Sequence, residues 1–582
     1  MTKIIKNIIV LIVFFTVKSI NSQTLPNDRS VDWTVAGLKN KDISSTFQNV
    51  NMEDFDVVGD GITPNDAFFA TAIASVENSG AILKFPEGTF LFNNTISLPS
   101  NIVLQGAITN TTIFKIDLSG SGNGIEANGE LLSNTTNFSS EATKGNNYID
   151  VIDASSFSAG DWIKVFQTDT DLVTSDWAYG TVGQVIEIGE VVGNKISLAS
   201  PLRLSYSLDR SPYIKKVNPI KNVGIENIKI ERVDDTSPTL NSNILFNYTV
   251  NSWIKEVESE NATYSHVNIT NGSNIYVGQS YFHHAFGYGE GGRAYGVLLQ
   301  STSNECLIED NIFEHLRHSM LLQSGANGNV FAYNYSTDPY WDQSVLPTNS
   351  TGEITLHGNY PYANLFEQNI CRNIVIDNSH GANGLYNTFL RNRADGYGIF
   401  FSDTSSPSQN FIGNDITNTT FPYSLVNYTI LGSDHFSYGN NDKGTITPEG
   451  TETLSDESYA YATMPDFVTE DQWAKIGTPN SPGAASIPAR DRFLENVLGV
   501  ENFDLEKVIV FKKDNNTLSI INLSEEKTDV KVYNILGKQI LNTSFSANGE
   551  EKSINLPELS KGVYIARIEV KGVVVSKKFI LE

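Results

Sequence analysis

Ile308-Glu-Asp-Asn311, Phe331-Ala-Tyr-Asn334, Phe366-Glu-Gln-Asn369, Phe389-Leu-Arg-Asn392 and Phe411-Ile-Gly-Asn414 repeat one pattern, an apolar residue followed three positions later by asparagine. The steps between these asparagines are 23, 35, 23 and 22 residues. A period of 22 to 23 residues is the size of one turn of a parallel β-helix, with the apolar residue inside and the asparagine in a tight bend. The long step is one coil plus an insertion, and Ser336 to Asn349, containing Asp338-Pro-Tyr-Trp-Asp342, is its natural place. A leucine-rich repeat has a similar period, but its leucine-dense consensus is absent. Ile and Val are frequent, Asn, Ser, Thr and Gly abound, and helical patterning is scarce, so the chain reads as all-β.

Stacked coils place equivalent residues in rows about 4.8 Å apart. Counting back eleven or twelve residues from each asparagine gives a polar row of Gln300, Gln323, His357, His380 and Asp403. Counting forward gives His315, Asp338 and Asn373. His357 and His380 are therefore expected on adjacent coils of one face. All eight histidines lie between His266 and His435, and no lysine occurs from residue 256 to 442, whereas Arg293, Arg317, Arg372, Arg391 and Arg393 remain. Imidazole titrates nearest neutrality, so such a cluster marks a candidate active cleft. The candidate catalytic residues are His315, His318, His357, His380, Arg391 and Arg393. Arg393 stands where Ile312, Tyr335 and Ile370 occupy the preceding coils, which singles it out. Strand alternation sets His315 and Arg317 on one side and His318 on the other, unless a bend intervenes. Glu290 and Arg293 on a glycine-rich excursion, with Gln323, Tyr340, Trp341 and Tyr360, are the candidate substrate contacts.

Upstream, Asp56-Val-Val-Gly59-Asp60-Gly61-Ile-Thr63-Pro-Asn65-Asp66 precedes a short amphipathic helix from Ala67 to Val76. Gly80-Ala-Ile-Leu-Lys-Phe85-Pro86-Glu-Gly88-Thr89-Phe90 and Leu98-Pro-Ser-Asn101-Ile-Val-Leu-Gln105-Gly106 follow. Residues 50 to 110 resemble the opening of the pectate-lyase-like superfamily, in which a helix caps a right-handed parallel β-helix. The resemblance implies that fold over residues 50–440; its chemistry is open, since the superfamily holds lyases, hydrolases, epimerases and phage tailspikes. Between residues 157 and 204 alternating segments break the coil period and read as a small β-insertion walling a groove. Residues 441–505, with Pro479, Pro482 and Pro488, read as a linker or a strap. From about residue 506 lysines return, and Val532-Tyr533-Asn534-Ile-Leu536-Gly537-Lys538 and Leu559-Ser560-Lys-Gly562-Val-Tyr564 punctuate alternating strands. This tail resembles the β-sandwich-like type A sorting domain of the type IX secretion system of Bacteroidetes. The resemblance implies the secretion machinery as partner and a secreted or surface-attached product.

The other end agrees. Lys3 and Lys6, the apolar run Ile8 to Val17 and small Ser22 read as a signal peptide over residues 1–22, too short to span a bilayer. A net charge of −26 argues against nucleic acid as a partner. Cys306 and Cys371 are expected as small buried apolar residues, not a bridge.

The chemistry splits three ways. A lyase on an anionic, uronic-acid-containing polysaccharide needs a cation for the carboxylate, a base and an acid, which Arg, His and Tyr supply. A glycoside hydrolase needs two carboxyl groups, for which Glu290, Glu314, Asp338, Asp342 and Asp395 are available. A non-catalytic glycan-binding surface protein would use the same groove and its aromatics. The pattern favours the lyase. No metal ligand set is evident; Ca2+ enters only through the pectate-lyase resemblance, and no aspartate-rich site for it appears.

Overall fold

The computed structural model describes residues 23–76, 79–107, 111–289, 291–343, 348–425 and 428–499, and the tail from 509 except 515, 522–526, 535–537, 547–550, 571–572 and 582. The signal-peptide reading and Glu290 lie outside the described residues. The chain forms two compact units, Met1–Arg490 and Asp491–Glu582.

The first unit is a right-handed parallel β-helix. One coil illustrates all of them. Leu307–Glu309 joins a twelve-stranded sheet, here called the back row; Ile312–Glu314, the side row, and His318–Leu322, the front row, join a twenty-stranded sheet. The asparagines of the repeat occupy the bend from back to side row. The residue before each takes a left-handed conformation, φ 54° at Asp310, 55° at Tyr333, 58° at Gln368 and 52° at Arg391, which turns the chain in two residues. Buried asparagine then satisfies the peptides that the bend leaves unpaired. Asn311 Nδ2 donates to Asn334 Oδ1 at 3.0 Å, and the ladder continues through Asn369, Asn392 and Asn414 at 2.9, 2.8 and 3.1 Å. The apolar residue of each repeat points inward: Phe366, Phe389 and Phe411 stack at 5.0 Å spacing. A second ladder, Asn329, Asn364 and Asn387, joined at 2.9 and 2.8 Å, enters the back row and was not read from the sequence.

The helix Asp66–Val76 covers the first coil with Phe69, Ala72 and Val76 buried. Cys306 and Cys371 are free and buried. The antiparallel insertion is larger than 157–204: its six strands run from Glu130–Asn137 to Tyr213–Asn218. Its own core includes Ile163, Ile186 and Ile214, and the flanking strands were missed because they alternate only weakly. The insertion docks on the turns that follow the front row. Asn304 exchanges bonds of 2.7 and 3.0 Å with the Val185 backbone, Gly183 O accepts from Asn327 and Tyr362 at 2.9 and 2.8 Å, and Arg203 pairs with buried Glu305.

Residues 454–487 lie along the back row, where Leu454, Val468, Ile476 and Ile487 share a core with Leu25 and Trp33. Buried Glu367 bonds Ser458 Oγ and Tyr459 N at 2.6 and 2.9 Å, and burial pushes its carboxyl up to about 7. The second unit is a three-stranded and a four-stranded antiparallel sheet around one core that includes Leu518, Val532, Ala566 and Phe579.

Candidate active site

Alternation along the front row decides what the groove contains. Val297, Leu299, Met320, Leu322, Ile354, Leu356, Ile374 and Ile376 point into the core. The intervening positions face outward, and strand register stacks Gln300 beside Gln323, whose Nε2 donates to Gln300 Oε1 at 2.7 Å. His357 follows on the next coil, since Leu322 pairs with Leu356. The next member is Asp377, not His380, because Leu356 pairs with Ile376. Asp403 is displaced likewise, with Ile376 opposite Phe401.

The cause is a shortened corner. Ile312 to Leu322 takes ten steps from side to front row, whereas Ile370–Ile376 makes the same passage in six as one unbroken strand. The missing residues reappear in the turn after Ile376, which carries His380. That turn folds back, so His380 still meets His357 edge-on with ring centroids 5.0 Å apart. The expected neighbours are together, by a different register.

Three imidazoles thus gather at the front row, His318 and His357 from its strands and His380 from the turn that follows. His357 Nδ1 lies 2.7 Å from Asp377 Oδ2, and a carboxylate partner fixes that nitrogen as the donor, leaving Nε2 as the free lone pair. Burial alone would raise the Asp377 carboxyl, but the charge and hydrogen bond of His357 outweigh it and hold it below the usual range. His318 Nδ1 donates to Gly352 O at 2.6 Å, and its buried Nε2 has no protein partner. Burial, then the adjacent Arg317 cation, depresses the His318 imidazole to about 3, so it is neutral at ordinary pH. The His318 ring centroid is 5.4 Å from Tyr295 and 5.7 Å from His357, so the bend falls beside it and turns it outward. Burial and the His357 charge also lower His380. Tyr264 packs beside Tyr295, ring centroids 5.6 Å apart, with its hydroxyl near Gln300 Nε2; burial raises both phenols and keeps them protonated. Sequence reasoning missed Tyr264, Tyr295 and Asp377. Their signal was the strand phase, available only once the corner lengths are known.

Loops wall both sides. The Arg317 guanidinium sits over the Trp341 ring at 4.9 Å, and Trp341 Nε1 donates to Gly289 O at 2.8 Å, joining the 284–294 and 338–353 excursions. Arg293 donates to Ser237 Oγ of a separate loop. On the other side Thr174 Oγ1 of the insertion donates to His380 O at 2.8 Å, and Trp177 meets the His380 ring.

The remaining candidates lie elsewhere. His315 belongs to a separate side-row cluster: its Nδ1 is 2.6 Å from Asp338 Oδ2, and Tyr340 stacks on its ring at 4.8 Å. His284 and Tyr288 complete that cluster. Arg391 is corrected from catalytic to structural. As the left-handed corner residue it points under the strap and donates to Asp456 O, Ile476 O, Thr478 O and Leu454 O at 2.7, 2.8, 2.9 and 3.2 Å. Arg393 is corrected in the same way: it is buried, bonds Ala485 O at 2.7 Å and faces Asp415 at 3.7 Å. Tyr360 packs half-buried beside Val173 and Tyr362 under the insertion.

Glu258, Glu260 and His283 are, among the described residues, the one group with metal-ligand geometry, their ligand atoms lying within 4.8 Å of one another. The Lys229 ammonium already sits 2.8 and 2.7 Å from the two carboxylates, supplying the cation that a metal would bring. A cavity of 730 Å³ lies beside the capping helix, lined by Phe69, Ile73 and Leu98 with no histidine, and offers none of this chemistry.

The fold and this cluster define a parallel β-helix protein with histidines and tyrosines gathered on one face of its front row. Residues 48–176 match the family described as rhamnogalacturonase A/epimerase, pectate lyase-like, and residues 514–582 match the secretion system C-terminal sorting domain. The protein is thus a parallel β-helix whose first coils match a pectate-lyase-like family model, with a C-terminal secretion sorting tail, and it is secreted or attached to the cell surface. Among solved structures it is similar to the tailspike protein gp49 of Pseudomonas phage LKA1, 17% identical, TM-score 0.51, over 64% of each chain. It also matches the mannuronan C-5 epimerase AlgE6 A-module of Azotobacter vinelandii at 11% identity, TM-score 0.33, over 67% of this chain and 98% of that one. An exopolygalacturonase of Thermotoga maritima matches at 12% identity, TM-score 0.33, over 69% and 89%. Of these likenesses the tailspike alone bears on the fold, and none on the activity. No curated protein matches the chain. No helix among the described residues is long and apolar enough to cross a membrane.

Proposed function

We propose that the front-row groove cleaves an acidic, uronate-containing polysaccharide by β-elimination. The observation that carries this reading is the His357–Asp377 pair. Asp377 is held ionised by His357, so it cannot serve as the protonated carboxyl acid that glycoside hydrolysis requires. Of the other carboxylates considered, three are engaged on the side row: Glu314 by Tyr281, Asp338 by His315, and Asp395 by Arg372 at 3.4 Å.

In this mechanism Arg317, stacked on Trp341, faces the uronate carboxylate and makes the C5 proton more acidic. The lone pair of His357 Nε2 takes that proton, and Asp377 steadies the imidazolium that results. The electrons released from C5–H form the C4–C5 double bond as the bond from C4 to the glycosidic oxygen breaks. The Tyr264 phenol, kept protonated by burial, gives its proton to the departing oxygen. Mass spectrometry of the oligosaccharides released from polygalacturonate, alginate and glucuronate-bearing polymers tests the reading. Elimination leaves fragments ending in an unsaturated uronate, lighter by one water than hydrolytic fragments, and hydrolytic masses alone would refute it.

A further inference from the structure

Trp177 is 53% exposed, and its neighbour Tyr179 is 46% exposed. A large apolar ring left in water is informative when the backbone beneath it is fixed. Here it is fixed on both flanks. Asp169 caps Gly180 N and Val182 N at 2.9 and 3.0 Å, Ala178 is fully buried, and Thr174 bonds Asn359 Oδ1 through N at 2.9 Å and His380 O through Oγ1 at 2.8 Å. The indole stands edge-on to the His380 ring, centroids 5.4 Å apart and planes at 86°. His380 in turn touches His357. The insertion thus holds a preformed aromatic surface two ring contacts from the imidazole that Asp377 orients, continuous with the groove.

We propose that Trp177 is a sugar-stacking subsite, binding the apolar face of a pyranose ring next to the one that reacts, so that the insertion is a substrate-binding element of the groove. The inference rests on the glycan-cleaving reading of that groove. Indole faces suit pyranoses because axial C–H groups meet an electron-rich ring, and a ring already immobile loses little entropy on binding. Trp177 touches no reacting atom. Its contribution is binding shared by ground and transition states, which appears in KM and leaves kcat alone.

The test compares wild type, Trp177→Phe and Trp177→Ala on whichever of polygalacturonate, alginate and a glucuronate-bearing polymer the wild type cleaves. Trp177→Ala is expected to raise KM by about tenfold with kcat within about threefold, and Trp177→Phe to recover most of it. An unchanged KM, or a fall confined to kcat, overturns the subsite. Should the wild type cleave none of the three, β-elimination fails, and the subsite is judged by affinity electrophoresis in gels containing the same polymers. Retardation of wild type that Trp177→Ala loses supports it; equal mobility overturns it.

Discussion

His357 Nδ1 and Asp377 Oδ2 lie 2.7 Å apart on adjacent coils of the front row, though twenty residues separate them in sequence. The carboxylate fixes the imidazole tautomer and leaves its other nitrogen to the groove. Asp377→Asn keeps the shape and removes the charge. Its turnover is expected to fall by about two to four orders of magnitude, with the melting temperature near wild type. A variant that cleaves at the wild-type rate would remove Asp377 from the mechanism.

The same pair has a pH signature. Asp377 is held below its unfolded value of about 3.9, so the stability it contributes is present above that pH and is lost as the carboxyl protonates in acid. His266 and His318 act in the same direction at higher pH. Each is depressed to about 3, against about 6.5 when unfolded, so the unfolded chain binds the extra protons between those values. Their contribution is full above about pH 6.5 and shrinks as pH falls towards 3. In thermal unfolding between pH 7 and pH 4 the melting temperature of His266→Gln should fall less, or rise more, than that of wild type, because the variant lacks this one contribution. An identical slope in that variant contradicts the assignment.

Arg391 separates structure from catalysis. Arg391→Met leaves four carbonyls of the strap, three of them in buried bonds, without their donor, a loss of about 3 kcal/mol. Denaturant unfolding measures it. Turnover per folded molecule should match wild type, and a loss of turnover without a loss of stability would return Arg391 to the active site.

The tail has its own core and shares none of the groove residues. Removing residues 506–582 is expected to leave polysaccharide cleavage by the purified protein intact and to abolish export in the native host. Export of the truncated chain would contradict the sorting role.

What the sequence made legible follows from what repeats. Phe366, Phe389 and Phe411 must point inward and Asn369, Asn392 and Asn414 must fill a two-residue bend, so period and fold are readable together. Gln300, Gln323 and His357 were placed correctly for the same reason. The count failed at the next coil because a residue total cannot say whether four residues lie before the front row or after it; Ile370–Ile376 runs straight and the surplus goes to the turn bearing His380. Arg393 looked catalytic because an arginine stands where the preceding coils carry Ile312, Tyr335 and Ile370, and Arg391 because it belongs to the same lysine-free, arginine-bearing stretch. Their partners are strap carbonyls far along the chain, which no local pattern reveals.

The most direct test is absorbance at about 235 nm during incubation with polygalacturonate, alginate and a glucuronate-bearing polymer, run for wild type and His357→Ala side by side. The account predicts a rising signal from wild type on at least one polymer and a rate about two to four orders of magnitude lower from His357→Ala. New reducing ends without that absorbance, or equal rates from the two proteins, would contradict it.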